Sequence, residues 1–167
     1  GTFWYSPTPE VESIGWDAND HRLCHWGKFR DKASGREFFY FNSHLFWRLE
    51  VARSMSGGVL VSQVQKIAGE SPAIAVGDYN SREESKQVQD ILALLNDAYR
   101  ISETAPAGPV ETDLGGGNFL GPAKARIDFI FTSKDIRVKD YTVIDDKRDN
   151  GHYPSDHLPI VCSLSIE

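Results

Sequence analysis

Cysteine is scarce: 167 residues hold two thiols, Cys24 and Cys162. That excludes a disulfide framework and a cysteine-rich zinc cage. Both sit in apolar, strand-like stretches, RLCHWGKF and PIVCSLSI, and read as buried free thiols. Positive charge is also in short supply. Eighteen Lys and Arg face 24 Asp and Glu, for a net charge of −6. This argues against a broad basic surface for duplex nucleic acid, although a metal ion in an acidic cleft brings positive charge by another route. No apolar run approaches the ~20 residues of a membrane-spanning helix, and no signal-peptide pattern opens the chain. The chain therefore reads as soluble, with no membrane span. Its compartment, cytoplasmic or exported, stays open because leaders are removed on maturation.

What remains is ordinary globular composition, 40% hydrophobic and 25% charged, enough for one domain with a real core. Residues 22–29 and 37–45 flank a polar, Gly-containing turn and read as a β-hairpin. Residues 48–68 show Val51, Met55, Val59 and Ile67 near helical spacing, with Leu60 and Val64 close to that face, and predict a helix weakened by Gly57-Gly58. AIAV (73–76) predicts a short buried strand and KQVQDILALLND (86–97) a second helix. A Gly- and Pro-rich stretch over 102–125 predicts a long surface loop. Three strand-like runs follow, in ARIDFIFTS, IRVKDYTVI and LPIVCSLSI. Mixed strands and helices of this kind give an α/β layered fold.

Four strand ends carry polar groups that a core does not need. FFYFNSHL puts Asn42 and His44 on one face, since side chains alternate along a strand. AIAVGDYN ends in Asp78 and Asn80. ARIDFIF buries Asp128 in an apolar run, and PSDHLPI sets Asp156 beside His157 at a strand start. Taken singly, His44 reads as a satisfied structural histidine, GDYN as a turn and Asp156 as a turn cap. Asp128 is harder to dismiss, because a buried carboxylate is costly unless paired or metal-bound. Together they suit hard cations such as Mg²⁺, Mn²⁺ or Ca²⁺, with imidazole and carboxylate groups to activate water against a phosphate ester. Trp4, Trp16 and Trp47 are candidates for stacking on a base or sugar. Arg22 and Arg126 are candidates for phosphate contact or for plain salt bridges.

NSHL, GDYN, RIDFIF and YPSDHLPI, in that order, resemble the endonuclease/exonuclease/phosphatase superfamily, whose fold is the DNase I-like four-layer α/β sandwich. The resemblance runs over about residues 3–166 and implies a single domain over 1–167. It implies roles residue by residue. His44 looks like the histidine that hydrogen-bonds the scissile phosphate, Asp78 like the carboxylate that orients water, and Asn80 like its phosphate- or metal-contacting neighbour. Asp128 is similar to the aspartate that buttresses a catalytic histidine, here His157. Asp156 looks like a metal-ligating carboxylate, and Asp78, Asn80 and His157 fall in the same implied metal site, for Mg²⁺, Mn²⁺ or Ca²⁺. The implied activity is hydrolysis of phosphate esters: nucleic acid, a phosphoinositide or another phosphorylated small molecule. HLFW departs from the HLDH of the bacterial branch and is closer to the HLYW of deadenylase-like members.

Relatives also begin with strands carrying a metal-proximal Asn and a metal-binding Glu in a QE motif. Nothing before Trp4 matches these, and Glu10 and Glu12 stand in a loop-like stretch. On the resemblance, the chain supplies roughly the C-terminal half of the domain as one mixed sheet with flanking helices. The other half, or a second copy, is then expected against the exposed sheet. A catalytically incomplete half-domain that acts as a binding module is the alternative reading.

Overall fold

Alternating aromatic and polar residues build a hairpin at the centre of the fold. In the computed structural model, which describes residues 1–166, β1 (Thr2–Trp4) pairs with β2 (Leu23–Arg30), and β2 with β3 (Glu37–His44), all antiparallel. Helix α1 (Glu50–Ala68) crosses over to β4 (Ala73–Asp78), which therefore lies parallel to β3, as a parallel neighbour requires. Then come α2 (Lys86–Leu92), the two-residue β5 (Asn96–Asp97), the short α3 (Ala98–Ile101), β6 (Asp128–Thr132), β7 (Ile136–Val143) and β8 (Ile160–Ile166). Six strands form one mixed sheet in the order β1-β2-β3-β4-β6-β5, while β7 and β8 pair as a separate antiparallel sheet. This is the α/β arrangement expected, a mixed sheet with flanking helices.

The core divides by sheet face. Cys24, Phe39, Phe41, Ala73, Ala75, Phe129 and Phe131 point to one side and pack with Leu60, Val64, Val88 and Ile91 of α1 and α2. On the other side, Ile130 packs against a second cluster built from Leu114, Val138, Tyr141, Val143, Tyr153 and Leu158. The β7–β8 ribbon is thus a second sheet, where the resemblance led to one. Its alternating Ile136, Val138, Tyr141 and Val143 are buried. Phe29 and Tyr40, on β2 and β3, stay exposed. Cys24 is buried as expected, but Cys162 is only half-buried. Desolvation pushes the two thiols up to about 11 and about 12, so neither is a thiolate near neutral pH.

Two helix expectations need correction. Val51 and Met55 are exposed, and the buried stripe of α1 is Ala52, Ser56, Gly57, Leu60, Gln63, Val64 and Ala68. Small residues occupy that stripe because α2 approaches closely. A Cβ on Gly57 would lie 2.1 Å from the Gln87 carbonyl oxygen, whereas one on Gly58 would meet nothing nearer than Asp90 Oδ2 at 3.9 Å. Opposite outcomes follow in urea denaturation. Gly57→Ala will destabilise, because an overpacking cost of about 1–3 kcal/mol exceeds the helix-propensity gain. Gly58→Ala will stabilise by up to about 1 kcal/mol. The second helix is also shorter than the 86–97 expected. Ser85 caps it by accepting the Val88 amide, and it stops at Leu92 because Leu95 and Asp97 are drawn into the core.

Candidate active site

Strand register assembles the site. His44 stands opposite Asp78 across the β3–β4 pair, and Asp78 opposite Asp128 across the β4–β6 pair. Directly opposed residues share a face, so three side chains form a row on the side away from α1 and α2. β4 reaches this row through Gly77, with φ of +136°. A Cβ there would lie 1.8 Å from the Ser43 carbonyl oxygen, so β3 and β4 approach at a point only glycine allows. Asn80 follows in the left-handed region, φ 50°, which asparagine tolerates. It donates its side-chain amide to the Leu45 carbonyl at 3.0 Å and to Asp78 Oδ2 at 3.1 Å, and its backbone N–H to Asp78 Oδ1 at 2.8 Å.

His157 does not open a strand as expected; β8 begins three residues later, at Ile160. It forms a bridge with Asp113 instead, and its Nδ1 lies 2.8 Å from Asp128 Oδ2. The same carboxylate oxygen accepts the buried Thr112 hydroxyl at 2.5 Å. Asp128 is thus satisfied by His157 and Thr112, while Arg126 pairs with Asp97. Asp156 lies beside His157 in sequence, and its Oδ2 accepts the Gly117 amide at 2.8 Å. His44, Asp78, Asn80, Asp128, Asp156 and His157 all line one open pocket of about 580 Å³, together with Arg22, Trp47 and Asp113.

Thr112 and Asp113 escaped the sequence reading because they belong to the stretch taken for a surface loop. That segment folds back: Thr112 and Asp113 amides donate to the Ala125 carbonyl, and Leu158 donates to Thr112. The signal was present in ETDLGGG, where polar residues that need partners precede the flexible glycines. Of the tryptophans considered, only Trp47 lines the pocket. Trp4 packs edge-on against His21, and Trp16 packs on the main core. Glu10 turns to Gln63 and Lys66 of α1, so it offers no ligand to this pocket.

The electrostatics set the titrating groups apart. Hydrogen bonding to Asp128 raises His157 to about 9 against the opposing effect of burial. His44 is lowered, first by burial and then by the Arg22 charge, and its Nε2 is 3.3 Å from Asp78 Oδ2. One imidazole is therefore cationic at neutral pH and the other neutral, a division that suits acid–base work. Asp78 is raised to about 6 by desolvation and by the neighbouring Asp128. Asp156 is lowered, chiefly by the Gly117 amide.

A stability consequence follows from the Asp78 shift. Its proton binds more tightly in the folded state, so the ionised form costs stability above pH 6 and the difference vanishes below the ordinary value of 3.8. Without divalent cations, Asp78→Asn will raise stability at pH 7 by about 1–2 kcal/mol. Melting curves across pH will show the gain disappearing by pH 4.

Ligand atoms of Asp78, Asp128 and His157 lie within 4.8 Å of one another. Asp156 lines the pocket outside that tight set, because its carboxylate is engaged with the 115–117 turn. The family model described as endonuclease/exonuclease/phosphatase family matches residues 1–157. The chain belongs to that family. An endonuclease/exonuclease/phosphatase structure from Bacteroides vulgatus is 31% identical with a TM-score of 0.89, covering 100% of this chain and 64% of that one. The mannosyl-6-phosphatase of Bacteroides thetaiotaomicron is 32% identical with a TM-score of 0.87, covering 99% and 65%. Nocturnin of Drosophila melanogaster is 23% identical over 186 residues, covering 90% of this chain and 29% of the fly protein. The chain thus spans less than two thirds of the length of each.

Proposed function

We propose that this chain carries the catalytic groups of a divalent-metal-dependent phosphoesterase that uses water as the nucleophile. The observation behind this reading is the His44–Asp78–Asp128 row, with His157 hydrogen-bonded over its end. Asp78, held by the Asn80 amide and titrating near 6, is a base poised close to neutral pH to orient and deprotonate water. His157, cationic and fixed at Nδ1 by Asp128, donates from Nε2 to a phosphate oxygen and offsets the charge that builds in the transition state. His44, neutral and largely exposed, hydrogen-bonds the phosphate from the other end of the row.

The donor set fits a hard cation. Asp78 is destabilised as an anion by its neighbour Asp128, and a cation between them relieves that repulsion. Asp78 and Asp128 would supply the oxygens, while His157, kept protonated by Asp128, would stay beside the ion as the phosphate's donor. Mg²⁺ or Mn²⁺ bound there would polarise the phosphoryl oxygens. The similarity to a phosphatase at 32% identity supports a phosphate ester as substrate; the choice between monoester and diester is left to assay. Bis-p-nitrophenyl and p-nitrophenyl phosphate should be hydrolysed with Mg²⁺ or Mn²⁺, and EDTA should abolish the reaction. Phosphate binding by the folded protein, with no hydrolysis of either compound, would replace this reading with that of a binding module.

A further inference from the structure

Beside the row of catalytic groups lies a second pocket, of about 270 Å³, lined by Asn19, Asp20, Arg22, Phe46, Trp47, Arg48 and Leu49. It shares Arg22 and Trp47 with the first, so the two are continuous. Arg22 is the unusual member. Its side chain is only 17% exposed and its sole ion-pair partner among the described residues is Asp20, at 3.4 Å and itself 53% exposed. Its buried Nε has no hydrogen-bond partner among the described residues. A buried guanidinium with an idle donor is costly, and planar forks of this kind match phosphate oxygens.

Trp47 adds a flat apolar surface. Its neighbour Phe46 is buried, yet Trp47 remains 53% exposed. The Arg48 guanidinium lies over the ring, 3.6 Å from its centroid. Leu49, in the left-handed region at φ 68°, turns the chain immediately afterwards; strain of this order persists where surrounding structure holds it. The segment that carries Trp47 is thus fixed by backbone, core and a cation on its face.

We infer that Arg22 and Trp47 form a second subsite for a substrate that bears a ring and a second phosphate group beyond the scissile one. The ring, a sugar or a base, lies against Trp47, and the second phosphate takes the edge of the Arg22 guanidinium that lines both pockets. This rests on the phosphoesterase reading for the position of the first phosphate, but it makes a separate claim about what surrounds it. Four carboxylates, Asp78, Asp113, Asp128 and Asp156, line the first pocket, and Arg22, which lines both pockets, is the first permanent cation that a second anion would meet on leaving it.

Calorimetry with Mg²⁺ tests the inference through binding alone when every protein also carries Asp78→Asn, which removes the base that activates water. The ligand pairs are AMP against ADP and fructose 6-phosphate against fructose 1,6-bisphosphate, with inorganic phosphate and pyrophosphate as ringless controls. With Arg22 and Trp47 intact the second phosphate should tighten binding about tenfold or more, and the better pair tells base from sugar. Arg22→Gln should erase that preference and Arg22→Lys restore part of it. Trp47→Ala, at a position 53% exposed, should weaken the ring ligands while leaving pyrophosphate unchanged. Equal affinity for mono- and bisphosphates with both residues intact, or Trp47→Ala weakening ring and ringless ligands alike, overturns the subsite. Hydrolysis of the nitrophenyl esters is scored separately: its absence with these preferences intact removes the phosphoesterase reading and leaves the subsite standing.

Discussion

Asp128→Asn will lower phosphate-ester hydrolysis by about 10²–10⁴-fold, and His157→Ala will lower it by a similar factor. The reason is geometric before it is electrostatic. Asp128 Oδ2 sits 2.8 Å from His157 Nδ1 and holds the ring with its Nε2 3.8 Å from Asp113 Oδ1. An asparagine keeps the shape and removes the charge. The main cause of the raised His157 pKa is lost, and burial, which opposes protonation, then counts for more. An NMR titration of the His157 ring should therefore move acid-ward from about 9, and the alkaline limb of activity should move with it. The sign carries through to stability. A raised histidine contributes fully below 6.5 and loses that contribution as pH rises through about 9, so the Asn variant should lose stability near pH 6 and match the parent above pH 10. An unchanged His157 titration in a folded Asp128→Asn protein would sink the pairing as the origin of the imidazolium. The two variants act on one unit, so combining them should cost little more than either alone.

Why was this row readable in the sequence while the loop beside it was not? Every member of the row lies on a strand or just beyond one, where alternation fixes the face from a few residues of apolar context. Asp128 announced itself through cost, as a carboxylate inside RIDFIF with no neighbour able to pair with it. His157 stood out beside Asp156 ahead of the last strand, and only the resemblance paired it with Asp128. Thr112 and Asp113 sit between glycines and prolines, and their position depends on hydrogen bonds to Ala125 and Leu158, which no local pattern encodes. The same limit misplaced the buried stripe of α1. Apolar spacing favoured Val51 and Met55, but the approach of α2 at Gly57 selected the small residues instead. The β7–β8 sheet was visible as strands, yet its separation from the main sheet depends on long-range pairing. Local periodicity therefore gave elements and faces, while close approaches and folded-back loops were set by tertiary contacts.

Arg126→Met will destabilise the fold by about 3–5 kcal/mol, the cost of leaving a buried charge without its partner. The sequence offered Arg126 as a candidate for phosphate contact, two residues before Asp128 on the strand that supports the site. The structure turns it the other way. Its guanidinium forks onto Asp97, Nη1 to Oδ2 at 2.7 Å and Nη2 to Oδ1 at 2.6 Å, with the side chains 10% and 1% exposed. It lies 4.6 Å from the Tyr99 ring centroid and 4.4 Å from that of Phe129. Asp97 also accepts the Tyr99 amide at 3.0 Å, so the pair fastens the start of α3 to β6 just ahead of Asp128. Removing the cation leaves Asp97 ionised in an apolar setting with Arg100 at 4.0 Å as its nearest other cation. Replacing both partners with apolar residues removes the stranded charge, so Arg126→Met with Asp97→Leu should recover much of the loss. Urea denaturation of the two single variants and the double variant measures this directly. A double variant no more stable than Arg126→Met would mean that the stacking on Tyr99 and Phe129, rather than the ion pair, holds β6 in place.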